Sequence, residues 1–165
     1  MRWHRQSRGF PWKIPVAGKA KGQIMTLKTH QFPYGSDNYG LLLHSDKTGL
    51  TACVDAGDAD ATRAALAETG WGLTHIFITH HHGDHGGGAA VSQKRWNMNI
   101  QANHRTAEEL GLMPELTHYF EALDVIRVSE DLAILPVPVP HSGADNVAFV
   151  ASHNGQRAAV ITDLG

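Results

Sequence analysis

The sequence has a single cysteine and no long hydrophobic segment, and each shortage excludes a class of protein. Its single cysteine, Cys53, leaves no partner for a disulfide within the chain, so we expect a reducing, cytoplasmic location. No apolar run approaches the roughly 20 residues of a membrane-spanning helix. Charged residues make up 18% and hydrophobic residues 42% of the 165 positions, which is typical of one globular domain.

Acidic residues are missing from the first 36 positions, which carry seven Lys or Arg, and all 16 acidic residues follow. This basic head has no continuous apolar stretch and is therefore not a secretory signal. We expect residues 1–24 to be a poorly ordered extension before a domain over 25–165. The alternatives are a targeting peptide or a nucleic-acid-binding arm. The acidic remainder argues against nucleic acid as a partner, because phosphate binding needs clustered cations.

The hydrophobic pattern predicts short strands with interspersed helices. Strands are expected over 24–29, 40–45, 51–55, 74–79, 99–102, 125–128, 132–139, 147–152 and 158–162, and helices over 61–68, 86–94 and 105–110. Asp58 or Asp60 can cap the first helix and Gly70 can end it. Strands in runs with helices between them indicate a layered α/β arrangement. Cys53 lies in one of these apolar strands and is expected to be a small core residue.

The most informative segment is the run from His80 to His85, which has the spacing His-x-His-x-Asp-His. It follows residues 75–79, an apolar run that predicts a buried strand. Neutral imidazole nitrogens and a carboxylate suit Zn²⁺ or Fe²⁺. Alternate residues of a loop leaving a strand can point at one spot, so His80 and His82 can share one ion. Asp84 and His85 then face a second position. The alternative, a His-rich surface loop, is disfavoured by the flanking strand.

This loop resembles the metal-binding loop of the metallo-β-lactamase superfamily of hydrolases. Residues 37–44 and 52–57 resemble the opening hairpin of that fold. Residues 64–76 are similar to glyoxalase II (hydroxyacylglutathione hydrolase) in particular. Residues 137–141 and 160–165 look more like superfamily members of the nuclease and phosphodiesterase type. The resemblance covers the chain beyond the basic head and implies an αββα sandwich.

The resemblance also implies two further ligands. His141 ends an apolar segment and stands close to where the superfamily places its third metal-binding histidine. Asp163 ends the last predicted strand, where the superfamily has a carboxylate that bridges two metals. A lone His or Asp at a strand end would otherwise be a structural hydrogen-bonding or capping residue. The implied metal ligands are His80, His82, Asp84, His85, His141 and Asp163, with Asp84 and Asp163 also catalytic.

The sequence departs from the family pattern in two respects. Pro140 and Ser142 stand where glyoxalase II normally has Gly and Thr on either side of the third histidine. The sequence also stops two residues after Asp163, whereas the superfamily supplies a further histidine and the second half of the sandwich beyond that point. We therefore expect a sandwich truncated after the bridging Asp, an incomplete second metal position and self-association through the exposed face. Neither His104 nor His153 matches the missing ligand, and His153 is expected in an exposed hairpin turn.

The implied ligand set indicates hydrolysis by a metal-activated water. Two Zn²⁺ ions bridged by Asp163 would bring the pKa of a bound water toward neutrality. The expected substrate is a small molecule, a thioester of the S-lactoylglutathione type, because the first half of the sequence resembles glyoxalase II. Asp55, at a strand end, is expected to support the metal loop as a hydrogen-bond acceptor behind the ligands.

Three other hypotheses remain open. His80 or His82 with His141 and Asp163 could form the two-His-one-carboxylate site of a mononuclear Fe²⁺ enzyme, resembling the persulfide dioxygenases of the superfamily. A phosphodiesterase or nuclease-type hydrolase would fit the later segments. A weakly active fragment would bind one ion and little substrate. Metal content separates these hypotheses: two zincs favour the thioesterase, one iron the oxygenase, and substoichiometric metal the fragment.

Overall fold

The computed structural model describes residues 27–143 and 145–165, so the extension predicted over 1–24 lies outside the described residues. The strands of this part are β1 Leu27–Tyr34, β2 Asn38–Ser45, β3 Thr51–Val54, β4 His75–Phe77, β5 Ile100–Ala102, β6 Thr117–Tyr119, β7 Ile126–Arg127, β8 Leu132–Pro138, β9 Val147–His153 and β10 Gln156–Val160. The helices are α1 Ala59–Thr69, α2 Gly83–Gly86, α3 Ala89–Trp96 and α4 His104–Glu109, and Pro114–Leu116 form a 3₁₀ turn. No helix among these residues is long and apolar enough to span a membrane.

The strands form two sheets. The larger sheet has six strands in the order β1-β2-β3-β4-β5-β6, antiparallel from β1 to β3 and parallel from β3 to β6. Parallel neighbours need a crossover connection, and the helices lie in the connections β3–β4, β4–β5 and β5–β6. The smaller sheet has four antiparallel strands in the order β10-β9-β8-β7.

Successive side chains of the larger sheet face two different cores. Leu42 and Ile76 belong to the core that the sheet shares with α1 and α3. Their neighbours Leu43 and Phe77 belong to the core between the two sheets, together with Phe149 of β9. Because alternate strand residues point to opposite faces, the larger sheet is covered on both sides. The layered α/β prediction is confirmed.

Aromatic rings join the two sheets. Phe149 contacts Phe77 and Phe120 edge to face, with ring centroids 5.5 and 5.7 Å apart. Each buried ring contributes roughly 1.5–3 kcal/mol to folding, and favourable ring pairs add about 0.5–1.5 kcal/mol. Cys53 is also fully buried in the core beside the helices, and burial raises the pKa of its thiol to about 12. The expectation that Cys53 is a core residue is confirmed.

The first predicted helix is confirmed, but the second is divided. Asp58 caps α1 by accepting a hydrogen bond from the backbone N–H of Ala61 at 2.8 Å, and Gly70 ends it with φ 72°. The predicted range 86–94 overlaps parts of two helices, since α2 ends at Gly86 and α3 begins at Ala89 after a break at Gly87 and Gly88. A side chain at Gly88 would lie 2.4 Å from a backbone carbonyl oxygen of the β3–α1 connection. Close backbone approach, and not helix propensity, therefore decides the geometry here.

Two other expectations from the sequence were wrong or incomplete. His153 was expected in an exposed turn, but it is fully buried at the end of β9, with Nε2 3.1 Å from Ser45 Oγ. The turn itself consists of Asn154 and Gly155, both with positive φ, as in a two-residue hairpin loop. The strand β6 was not predicted, because a three-residue parallel edge strand depends on its neighbour for its conformation.

Candidate metal centre

Six side chains predicted as ligands meet where several elements end. His80 and His82 follow the end of β4 in the sequence. Asp84 and His85 lie in α2, the helix that comes next in the sequence. His141 follows the end of β8. Asp163 follows the end of β10 and has φ 40°, which is rare for a residue other than glycine. The structure thus brings together segments that lie far apart in the sequence.

Four of these side chains converge on one point. Single ligand atoms of His80, His82, His141 and Asp163 all lie within 4.8 Å of one another. Nδ1 of His82 is 3.0 Å from Nε2 of His80 and 3.3 Å from Nε2 of His141. Oδ2 of Asp163 is 3.6 Å from Nε2 of both His80 and His141. Tetrahedral zinc with bonds of about 2.0–2.1 Å places its ligands about 3.3 Å apart. The four groups therefore fit one metal ion.

The other two ligand candidates lie next to this group, and the ring centroids of His80 and His85 are 4.3 Å apart. His85 Nε2 is 3.2 Å from Asp163 Oδ2 and 3.7 Å from Asp84 Oδ2. His85 is buried, whereas the Asp84 side chain is 52% exposed. Among the described residues, only Asp163 has a carboxylate oxygen within 4 Å of Nε2 of His80, His141 and His85. Its position suits a carboxylate shared between two neighbouring ions.

Asp55 orients two of the histidines from behind. This residue is 1% exposed, follows β3 and has φ 57°. Its carboxylate accepts hydrogen bonds from His85 Nδ1 at 2.8 Å and from the backbone N–H and hydroxyl of Thr79 at 2.9 Å. The hydroxyl of Thr79 is in turn 2.8 Å from Nδ1 of His80. Because Nδ1 is engaged in both rings, Nε2 of each faces the site, an arrangement typical of metal-binding histidines. The support expected from Asp55 is present.

The surroundings give His80 and His85 different affinities for protons. Burial lowers the pKa of His80 to about 4, so its ring is neutral and able to coordinate a metal ion at physiological pH. Burial also opposes the charged form of His85. The hydrogen bond to Asp55 and the negative charges of Asp55, Asp163 and Asp84 outweigh burial and raise the pKa of His85. A metal ion at His85 must therefore displace a proton more often than one at His80.

The backbone of α2 is fixed against the β3–α1 connection. The carbonyl of His85 accepts a hydrogen bond from the N–H of Ala56 at 2.8 Å. The hydroxyl of Tyr34, on β1, donates to the carbonyl of Asp84 at 2.6 Å. A side chain at Gly57 would lie 2.0 Å from that same carbonyl oxygen, so only glycine fits there. Burial raises the pKa of Tyr34, which keeps its hydroxyl protonated and able to donate.

The loop that carries His141 is held by Asn146. The side-chain N–H groups of Asn146 donate to the carbonyls of His141 at 3.1 Å and Ser142 at 3.3 Å. The backbone N–H of Val147 donates to the carbonyl of Thr79 at 3.1 Å, which ties this loop to the segment carrying His80. The sequence does not single out Asn146 or Tyr34, because neither belongs to a motif and both act on backbone groups that only folding brings near.

The remaining histidines lie outside the four-residue group. His81 is not part of that group and packs against Gly143, where a side chain would lie 2.8 Å from the His81 ring. His104 stacks on Tyr119 with ring centroids 4.0 Å apart. A cleft of about 410 Å³ opens beside His141 and is bordered by His104 among other residues. Clefts of this size accommodate small molecules or parts of them.

Comparisons with known proteins find related sequences over much of this chain. The family model described as "Metallo-beta-lactamase superfamily" matches residues 42–153. The hydroxyacylglutathione hydrolase of Rhodopseudomonas palustris (strain BisA53) is 38% identical over 126 residues, covering 76% of this chain and 48% of the relative. That of Jannaschia sp. (strain CCS1) is 37% identical over 148 residues, covering 87% of this chain and 51% of the relative.

A similar fold is found among crystal structures. A metallo-beta-lactamase from Staphylococcus aureus subsp. aureus COL superposes with a TM-score of 0.64 at 24% identity, over 81% of this chain and 40% of that one. At this identity the likeness concerns the fold alone. The chain spans about half the length of the curated relatives it matches, 48% of one and 51% of the other.

Proposed function

Because this chain belongs to the metallo-beta-lactamase superfamily, we propose that the residues around Asp163 form the centre of a metal-dependent hydrolase acting on thioesters of the hydroxyacylglutathione type. The observation that carries the proposal is the convergence of His80, His82 and His141 on Asp163. The substrate class is suggested by the two relatives, both named hydroxyacylglutathione hydrolase.

The donor set supports zinc at two positions. We assign His80, His82, His141 and Asp163 to the first position. Asp84, His85 and a shared Asp163 form the second position. Imidazole nitrogens with few carboxylate oxygens are the ligands that Zn²⁺ prefers. His80 is buried and neutral, and the hydrogen bond from Nδ1 of His85 to Asp55 leaves Nε2 of His85 facing the site.

The reaction would be the addition of water to the acyl carbon. When bound, divalent metal ions lower the pKa of a coordinated water and polarise the acyl carbonyl. Asp84, whose Oδ2 is 3.7 Å from Nε2 of His85, would orient the attacking water and accept a proton from it. The new C–O bond forms as the C–S bond breaks, and the sulfur leaves as a thiol after taking up a proton. The cleft beside His141 offers space for the acyl or thiol portion.

Thiol release provides the direct test. The full chain loaded with Zn²⁺ is expected to hydrolyse S-D-lactoylglutathione, measured as thiol formation and loss of thioester absorbance. Asp163→Asn should keep the circular dichroism spectrum and lower turnover about 100-fold or more, because the shared carboxylate and its charge are lost. Asp124→Asn, at an exposed acid away from the centre, is the matched control. Turnover in Asp163→Asn equal to that of the control would remove Asp163 from the mechanism.

A mononuclear iron enzyme is the second candidate. Its support is that His80, His82, His141 and Asp163 form a complete ligand set on their own, and two histidines with one carboxylate bind non-haem Fe²⁺. The pairing of His85 with Asp163 at 3.2 Å favours the two-metal hydrolase instead. Metal analysis after reconstitution with zinc or iron separates the two: two zincs per chain with thiol release support the hydrolase, and one iron with oxygen consumption supports the oxygenase.

A further inference from the structure

Asn146 is a buried side chain outside the ligand set that holds the backbone of a ligand residue. It is 6% exposed, and its Nδ2 donates to the carbonyls of His141 and Ser142. Both partners are acceptors, so the amide nitrogen must face them. The two hydrogen bonds connect Asn146 to the backbone of His141 and Ser142.

The conformation of this loop needs such support. Gly143 has φ 94° and leaves no room for a side chain against the ring of His81. Asp145 has φ 63°, which is also rare for residues other than glycine. Backbone in such conformations persists only where its surroundings hold it. Asn146 donates a hydrogen bond to the carbonyl of His141 in this loop. Its neighbour Val147 donates a backbone hydrogen bond to the carbonyl of Thr79, the residue before His80.

Tyr34 plays the corresponding part for Asp84. Its ring is buried with 8% exposure, and its hydroxyl reaches from β1 to the Asp84 carbonyl at 2.6 Å. The helix α2 that contains Asp84 has four residues, too few to be stable by its own hydrogen bonds. The Asp84 carbonyl can lie close to the backbone at Gly57 because glycine has no side chain that would displace it.

We propose that Asn146 and Tyr34 are positioning residues, each of which fixes one of the two metal positions through the backbone carbonyl of a ligand residue. Asn146 acts on the first position through His141. Tyr34 acts on the second position through Asp84. This inference rests on the two-position metal centre proposed above, and it adds that each position has a positioning residue of its own.

The test uses variants that remove one hydrogen-bond donor and keep the shape of the side chain. Asn146→Asp replaces the donating amide by an acceptor, and Tyr34→Phe removes the hydroxyl. Each is measured in two backgrounds of the full chain: Asp84→Ala, which leaves the first position, and the double variant His82→Ala/His141→Ala, which leaves the second. Zinc affinity is determined by competition with a chromophoric chelator, and circular dichroism of the metal-free protein monitors folding. Asn146→Ala, which adds no charge, replaces Asn146→Asp if that variant does not fold.

Matched controls remove similar groups that do not touch a ligand residue. Asn103→Asp loses the bond from Nδ2 to the carbonyl of Asp145, in the same loop as His141, and retains the side-chain oxygen that caps α4. Tyr39→Phe removes an exposed hydroxyl from β2. Both controls should leave zinc affinity within about two-fold of the parent.

The expected result is a crossed pattern. Asn146→Asp should weaken zinc binding about 10–100-fold in the Asp84→Ala background and leave it unchanged in the His82→Ala/His141→Ala background. Tyr34→Phe should weaken zinc binding in the His82→Ala/His141→Ala background and leave it unchanged in the Asp84→Ala background. Equal weakening of both positions by either variant, or an equal effect of Asn103→Asp, would overturn the inference and leave the metal centre intact. Absence of zinc binding in both parent backgrounds would overturn the metal centre and the inference together.

Discussion

The carboxylate of Asp55 accepts a hydrogen bond from Nδ1 of His85 at 2.8 Å, and the opposite nitrogen of the same ring lies 3.2 Å from Asp163. One imidazole thus connects a fully buried carboxylate to the carboxylate at the centre of the site. Asp55 also binds both polar groups of Thr79, whose hydroxyl contacts His80. A single residue behind the site therefore orients a histidine of each metal position.

We predict that Asp55→Asn weakens zinc binding at both positions, by about 10–100-fold. An amide can accept one of these hydrogen bonds but carries no charge to favour the orientation of His85. Chelator competition on the full chain gives the affinities. Asp58→Asn is the control, because Asn caps a helix as well as Asp and Asp58 lies outside the site. Unchanged zinc affinity in Asp55→Asn would contradict the orienting role.

A second prediction concerns loss of metal on acidification. The pKa of His85 is raised and that of His80 is lowered to about 4, so protons compete for His85 at higher pH. As the pH falls from 8, the second position should release zinc first, and the first position should retain it toward pH 5. Equilibrium dialysis followed by metal analysis measures the bound zinc at each pH. Simultaneous release of both ions, in a chain that binds two at pH 8, would contradict the assignment of His85 to a separate position.

The ligand loop and the layered fold could be predicted from the sequence, because each leaves a dense local signal. The spacing from His80 to His85 is a motif, and apolar runs such as 74–79 indicate strands buried on both faces. Tyr34 and Asn146 carry no such signal, since they act on carbonyl groups. His153 was misassigned because Asn154-Gly155 indicates a turn but does not show which face of β9 its preceding residue occupies.

His153 leads to a prediction about stability. Burial lowers its pKa below the ordinary value of 6.5, so the unfolded chain takes up a proton at a higher pH than the folded chain. The stability that depends on neutral His153 is complete above pH 6.5 and is lost as the pH falls below that value. In His153→Gln, the decrease of the unfolding free energy between pH 7 and pH 5 should be smaller. Urea titrations of the metal-free protein measure it.

The control for this prediction is His104→Gln, at an exposed position at the start of α4. It should keep the full decrease in stability on acidification, including the part due to His80, whose pKa is also lowered. A decrease in His153→Gln as steep as in the control would mean that His153 does not contribute to acid sensitivity.

The two metal positions should also differ in resistance to chelators. Four described side chains surround the first position, three of them histidines, whereas the second has Asp84, His85 and the shared Asp163. Fewer ligands provide fewer metal–ligand bonds, and the exposed Asp84 must lose more freedom on binding than the buried His80. Stepwise chelation of the zinc-loaded chain should therefore remove one ion per chain before the other.

Thermal unfolding should show that most of the metal-dependent stabilisation remains after the first step, because the tighter ion contributes more to the folded state. Release of both ions in one step, with loss of all metal-dependent stabilisation together, would contradict the ligand assignment of the two positions.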